Sequence, residues 1–206
     1  MKSEVYNCDN MELMAKYPDG YFELAIVDPP YGIGDKFKGG NSGKMNFNEV
    51  VEKGWDNETP SKEYFKELKR VSKNQIIWGG NYFLDNLGNT RCFIWWDKQI
   101  SQDFSLAMTE LAWTSFDKLA KIFRMSTPKG GGKIHPTQKP VALYKWLLMN
   151  YAKEGDKILD THLGSGSSRI AAHDMKFDFV GCELDKDYFE AAEFRYQEHI
   201  KQLILF

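Results

Sequence analysis

Asp28-Pro29-Pro30-Tyr31-Gly32 follows directly on the apolar run Ala25-Ile26-Val27. Proline has no N–H to give a sheet ladder, so Pro29 and Pro30 lie beyond the paired part of a strand. Their restricted backbone stiffens the chain and sets Asp28, the Pro29 carbonyl and Tyr31 relative to one another. A carboxylate oxygen and the next residue's carbonyl then form a rigid pair of acceptors. Such a pair suits an amino group conjugated to an aromatic ring, which is a poor nucleophile because its lone pair is delocalised. Acceptors on both N–H bonds favour pyramidal geometry and offset the positive charge that develops on nitrogen as it attacks. Tyr31 supplies a flat face for the ring that carries the amine. The plainer reading of Asp28 is a strand-end carboxylate capping a turn.

A second constellation lies in "ILDTHLGSGSS", residues 158–168. Asp160 ends an apolar strand, and Gly164 and Gly166 turn the chain into a helix of small residues. Glycines there let a ligand approach the backbone, and amides at the helix start favour its polar groups. Glu183, 23 residues after Asp160, ends the next strand, where an acid takes the two hydroxyls of a ribose. The pair reads as a nucleoside-cofactor site. It is no phosphate cradle: the Walker pattern is missing, and Arg169 stands where a third glycine of a dinucleotide fingerprint belongs. On these residues NAD and S-adenosylmethionine both remain open. His162 reads as a packed or solvent-facing histidine, and His135 as positioning its own segment, neither as a base.

These residues need elements to hold them. Strand-like runs lie in 22–28, 74–83, 91–98, 111–116 and 120–125, the last two as a hairpin or two neighbouring strands, and 156–168 and 177–185 each end a strand in polar or glycine-rich residues. Helical spacing covers 60–73, 140–153 and 186–201. Strands alternating with helices predict an α/β chain with an open, mostly parallel sheet and helices on both faces. Residues 32–58 carry six glycines and little periodicity, and are read as a lid or substrate-gripping loop.

Bulk composition bounds the classes. The 206 residues suit one domain, 1–206, with a sizeable core, and a net charge of −2 argues against a wholesale basic nucleic-acid binder. Three scattered cysteines, Cys8, Cys92 and Cys182, make no metal or disulfide framework and predict a reducing, cytoplasmic setting. The expectation is a protein with no metal, no membrane association, and no signal-like apolar segment at its start.

At this point the chain resembles a family. Asp28-Pro29-Pro30-Tyr31-Gly32 matches the catalytic motif of the amino-methylating DNA methyltransferases, and "LDTHLGSGSS" resembles their cofactor motif, usually met as Asp-Pro-Phe-x-Gly-x-Gly. The catalytic motif comes first, which is the order of the β group. "HPTQKP", residues 135–140, is similar to that group's further cofactor-side motif, and "GGNYF" and "WWDK" resemble the small adenine methyltransferases of phages and prophages. The resemblance spans about residues 5 to 195. It implies a Rossmann-like S-adenosylmethionine-dependent methyltransferase fold. It also implies that Asp28, Pro29, Pro30 and Tyr31 hold a flipped-out adenine for methylation at N6. Asp160, Gly164 and Gly166 would wrap S-adenosylmethionine, with Glu183 on its ribose, Asp9 meeting its adenine, and Thr137 and Lys139 lining the pocket. Thr161 and His162 depart from the family's Pro-Phe.

Larger relatives carry a separate target-recognition domain, and only about a dozen residues occupy its place here. Short elements must then read double-stranded DNA. Residues 117–139 hold six cations against Asp117, and Lys118, Lys121, Arg124, Lys129 and Lys133, with Lys36, Lys38 and Lys44 in the glycine-rich loop, are read as phosphate contacts. So small a recognition surface suggests a short target or a homodimer. The rival readings are a cytosine-N4 or RNA adenine-N6 methyltransferase, a catalytically inactive DNA-binding module, and, on the glycine turn alone, a dehydrogenase.

Overall fold

Phe22-Glu-Leu-Ala-Ile-Val27 and Ser72–Trp78 are nearly continuous apolar runs, the pattern of strands covered on both faces. In the computed structural model, which describes residues 1–34, 56–101, 107–126, 134–135 and 137–204, they form the centre of an eight-stranded sheet. The strands are β1 (Ser3–Asn7), β2 (Phe22–Val27), β3 (Ser72–Trp78), β4 (Ile94–Asp97), β5 (Thr109–Thr114), β6 (Lys121–Arg124), β7 (Lys157–Asp160) and β8 (Asp178–Glu183). Their order across the sheet is β1-β8-β7-β2-β3-β5-β4-β6. All neighbouring pairs are parallel except those that β5 makes with β3 and β4.

The α-helices among the described residues are α1 (Asn10–Met14), α2 (Lys62–Val71), α3 (Val141–Tyr151), α4 (Ser167–Asp174) and α5 (Lys186–Ile204). In α2, Tyr64, Phe65, Leu68 and Val71 fall at helical spacing and are buried, and the Ser61 hydroxyl caps the start by accepting from the Tyr64 N–H at 3.3 Å. The cap is therefore Ser61, one residue after the helical spacing begins, because Ser61 offers the capping oxygen. With α1, α2 covers one face of the sheet over Phe22, Ala25, Val27 and Ile77. The other face is covered by α3 and α4, with Ala192 of α5, over Leu24, Ile26, Ile76, Trp78, Ile158 and Phe179.

Two features differ from the sequence expectation. First, β5 and β6 do not pair, because β4 lies between them: Trp95 faces Leu111 on one side and Ile122 on the other. Second, β1 and α1 form ahead of the first strongly apolar strand. β1 is an edge strand with mostly exposed side chains, so its five residues carry little hydrophobic signal.

The topology of the described strands creates a crevice. From β7 the chain crosses through α4 to β8, while from β2 it crosses through α2 to β3 on the other side. The crossovers diverge at the β7–β2 pair, which is registered Leu24 to Ile158 and Ala25 to Leu159. Open α/β sheets bind ligands at such a switch point, beyond the carboxyl ends of the strands. Asp160 ends β7, and Asp28 stands one residue past β2.

Candidate active site

Asp28 is held from both sides. The Tyr31 hydroxyl donates to its Oδ1 at 2.6 Å, and the Lys139 ammonium donates to its Oδ2. Burial, and then the Asp28 charge, push the Tyr31 hydroxyl far above its usual value, so it stays a donor. The backbone after Pro30 is pinned by Asp56, whose Oδ1 accepts from the Tyr31 N–H at 2.5 Å and the Gly32 N–H at 3.0 Å. Burial raises the Asp56 pKa, and these N–H groups work against it by favouring the carboxylate.

The Tyr31 ring stacks on Tyr82 with centroids 4.9 Å apart and planes inclined by 13°. It also lies against Gly79, where a Cβ would come within 2.1 Å of the ring. Gly79 has φ +67°, a left-handed conformation that glycine adopts without strain. The Gly-Gly break after β3 thus makes room for the tyrosine.

Lys139 is buried, with 2% of its side chain exposed. Besides Asp28, its Nζ lies 3.0 Å from Glu110 Oε2 and 3.4 Å from the Tyr31 hydroxyl, and 5.3 Å over the Trp78 ring. Glu110 is shared: Lys98 meets its other oxygen at 2.6 Å. Burial alone would depress the Lys139 ammonium, but Asp28 and Glu110 hold it above its usual value. Burial likewise works against the Glu110 charge, and Lys139 and Lys98 override it, pulling its pKa down to about 2.

On the cofactor-side turn, Gly166 has φ +71° and caps α4. Glu183 Oε2 accepts from the Gly164 N–H at 2.8 Å, joining the tips of β7 and β8, and its Oε1 accepts from the Asp185 N–H at 3.0 Å. Asp160 accepts from the His162 N–H at 3.0 Å and the Ser168 hydroxyl at 2.5 Å. Burial, against those hydrogen bonds, raises its pKa to about 7. Asp9 caps α1, accepting from the Met11 N–H at 2.7 Å.

His162 is packed, edge-on to Tyr64 at 5.3 Å, with Asn10 Nδ2 3.2 Å from its Nε2. Burial lowers its pKa to about 4, which keeps the ring neutral and a weak base at neutral pH. His135 lies edge-on to Tyr188 at 4.4 Å, with Thr137 Oγ1 3.1 Å from its Nδ1. Its ring is also 3.8 Å from where a Gly164 Cβ would stand, so the His135 segment runs beside the glycine turn.

Asp9, Asp28, Asp160, Gly164, Gly166 and Glu183 are therefore collected along one edge of the sheet. The structure brings Lys139 onto Asp28, not among the residues at the glycine turn. The cations of 117–124 divide. Arg124, at the carboxyl end of β6, has its Nε 3.5 Å from Asp97 Oδ2, on the Asp28 side. Lys118 and Lys121 reach Asn150 near the end of α3, at 3.0 and 2.6 Å. Because α3 begins beside Lys139 and runs back along the sheet, these two lysines lie at its opposite edge. Lys36, Lys38, Lys44, Lys129 and Lys133 lie outside the described residues, as does most of the 32–58 loop.

Sequence reasoning did not single out Glu110, Asp56 or Tyr82. Tyr82 stood in the quoted "GGNYF", whereas Glu110 and Asp56 are ordinary acids until the fold surrounds them. Among the described residues, no cluster of His, Cys, Asp and Glu is arranged to hold a metal ion. No described helix is long and apolar enough to cross a membrane.

Comparison with known proteins gives this geometry a context. Residues 116–194 match the model of a family described as DNA methylase, the N6/N4 class. The type II methyltransferase M.HinfI of Haemophilus influenzae is 23% identical over 92% of the chain and 67% of its own length. The crystal structure of the M1.HpyAVI–SAM complex superposes with a TM-score of 0.63 at 20% identity, covering 93% of this chain and 98% of that one. The PvuII DNA methyltransferase, cytosine-N4-specific, gives 0.65 at 12% identity over 98% and 91%. The sheet with its switch-point crevice thus has the Rossmann-like fold of these solved methyltransferases, and over residues 116–194 the chain is similar to the N6/N4 DNA methylases.

Proposed function

We propose that this protein methylates the exocyclic N6 amine of adenine in DNA, with S-adenosylmethionine as methyl donor. The class, a DNA amino-methyltransferase, rests on the family match, the relatives and the fold. One observation carries the assignment to this site: the Asp28 carboxylate is fixed by Tyr31 and Lys139 at the mouth of the switch-point crevice. The choice of adenine rests on an aspartate opening the four-residue motif.

The chemistry of the donor set suits the cofactor. Glu183 at the tip of β8 presents a carboxylate to a ribose, and it is tied to the Gly164–Gly166 turn by the Gly164 N–H. Thr137 contacts His135, whose ring lies beside Gly164, and Asp9 precedes Asn10, which meets His162. S-adenosylmethionine, when bound, supplies a methyl group on a positively charged sulfur. The protein's own residues prepare the amine. Asp28 and the Pro29 carbonyl accept its two N–H bonds, which localises the nitrogen lone pair and stabilises positive charge there. Tyr82, exposed and stacked on Tyr31, supplies an aromatic face for a base, which must leave the helical stack to reach it. The prolines and Asp56 keep the acceptors in position before the base arrives. Phosphate contacts are assigned to Arg124 and, on sequence pattern, to the lysines of 36–44 and 129–133.

The test is methyl transfer from labelled S-adenosylmethionine to unmodified duplex DNA, with product nucleosides separated by mass spectrometry. N6-methyladenine is expected from the wild type. Asp28→Ala is expected to lose at least about 100-fold in rate while cofactor affinity is kept. Label in cytosine would move the target base and overturn the adenine assignment. Label in RNA alone would overturn the DNA assignment, and cofactor binding without any product would leave a binding module.

A further inference from the structure

Lys139 reaches Asp28, at the end of β2, from the segment that runs beside the glycine turn. Its ammonium has three N–H bonds, and three oxygens surround it: Asp28 Oδ2, Glu110 Oε2 at 3.0 Å and the Tyr31 hydroxyl at 3.4 Å. Its side chain is 2% exposed, and the rings of Trp78 and Tyr31 lie 5.3 and 5.9 Å from its Nζ. The ammonium hydrogen-bonds Asp28 and the Tyr31 hydroxyl and is ion-paired with Glu110, so its charge is met inside the protein. The contacts close a ring, because the Tyr31 hydroxyl that faces Lys139 itself donates to Asp28 Oδ1 at 2.6 Å. Each carboxylate oxygen of Asp28 therefore receives one internal donor, and each keeps a further lone pair for a ligand. Glu110 is the anchor. It would be a second buried acid beside Asp28 without its lysines, and Lys98 at 2.6 Å holds it from the far side.

We propose that Lys139, anchored by Glu110, is a positioning residue that sets the orientation of the Asp28 carboxylate for the target amine. The inference rests on the amine-methylating reading above. It assigns Lys139 to the amine side of the reaction, and gives Glu110 a part that its sequence context does not announce. The His135–Lys139 segment then has two ends with two tasks: His135 lies beside the Gly164 turn, and Lys139 reaches Asp28. A carboxylate displaced by about an ångström forfeits on the order of 100-fold in rate, so the effect belongs to the chemical step.

The experiment measures single-turnover methyl transfer at saturating cofactor and DNA, cofactor affinity, and thermal midpoint, for the wild type, Lys139→Met, Lys139→Arg, Glu110→Gln and the Lys139→Met/Glu110→Gln double variant. Lys139→Met is expected to lose about 100-fold in saturated rate with cofactor affinity within about twofold. Glu110→Gln is expected to lose about tenfold, and to add nothing in the Lys139→Met background, because both act through one carboxylate. Lys139→Arg should recover part of the loss. A Lys139→Met protein that binds cofactor at least about tenfold more weakly yet transfers methyl at the wild-type saturated rate would overturn the proposal. If Lys139→Met does not fold, wild-type saturated rates in both Lys139→Arg and Glu110→Gln would overturn it instead. An inactive wild type would sink the functional reading itself, which is a different result from an active wild type indifferent to Lys139.

Discussion

Asp160 and His162 lie two residues apart and titrate in opposite directions for the same reason, burial. Burial disfavours whichever form is charged, so it raises the acid to about 7 and lowers the histidine to about 4. The consequences for stability have opposite signs. For Asp160 the folded pKa is above the unfolded one, so its contribution is present below about pH 4 and is lost as pH rises through about 7. For His162 the folded pKa is below the unfolded one, so its contribution is present above about pH 6.5 and is lost as pH falls through about 4. Each gives a slope of at most about 1.4 kcal/mol per pH unit, and between about pH 4 and 6.5 the slopes offset each other. Denaturant unfolding across that range is expected to show Asp160→Asn gaining stability with rising pH relative to wild type. His162→Gln should lose it. Parallel stability curves for all three proteins would refute the account.

At the scale of elements, the turn after β3 matters more than its length suggests. Gly79 must take a left-handed backbone conformation and leave the space that the Tyr31 ring fills. Gly79→Ala meets both requirements badly. The strain and the overpacking together are expected to cost about 3 kcal/mol, read as a fall of roughly 10 °C in thermal midpoint for a chain of this size. The added methyl would displace Tyr31 from Asp28 and Tyr82, so methyl transfer should fall further than stability accounts for. A midpoint within about 2 °C of wild type would show that the turn yields easily. The β2 exit is built by the same logic, with two prolines stiffening the chain and Asp56 holding the two N–H groups that follow.

The whole molecule has two edges with different duties. Every strand but β5 points its carboxyl end toward Asp28, and there the switch point opens the crevice. Lys118 and Lys121 lie at the opposite edge, tying the start of β6 to Asn150. Arg124 lies on the active edge with its side chain 62% exposed, beside Asp97. If DNA approaches that edge, Arg124→Gln should weaken binding and reduce the slope of log affinity against log salt by about 1. Lys118→Gln and Lys121→Gln should leave that slope unchanged. Equal losses from all three would mean that DNA wraps both edges.

Much of this protein is legible in its sequence because much of it is set locally. Hydrophobic spacing marks the main strands and helices, and Asp28-Pro-Pro-Tyr31 and the Gly164–Gly166 turn carry their chemistry within a few residues, where rigidity and backbone freedom are properties of the residue types themselves. The rest was decided by the tertiary structure. That β4 lies between β5 and β6 depends on how distant strands pair, which residue spacing does not encode. Lys139 meets Asp28 across 111 positions of chain, and Glu110 and Asp56 acquire roles through burial beside partners that only the folded path brings near. Lys118 and Lys121, neighbours of Arg124 in the sequence, are carried to the other edge by the direction of one short strand. Charge at a position is a local fact; what it faces is a property of the fold.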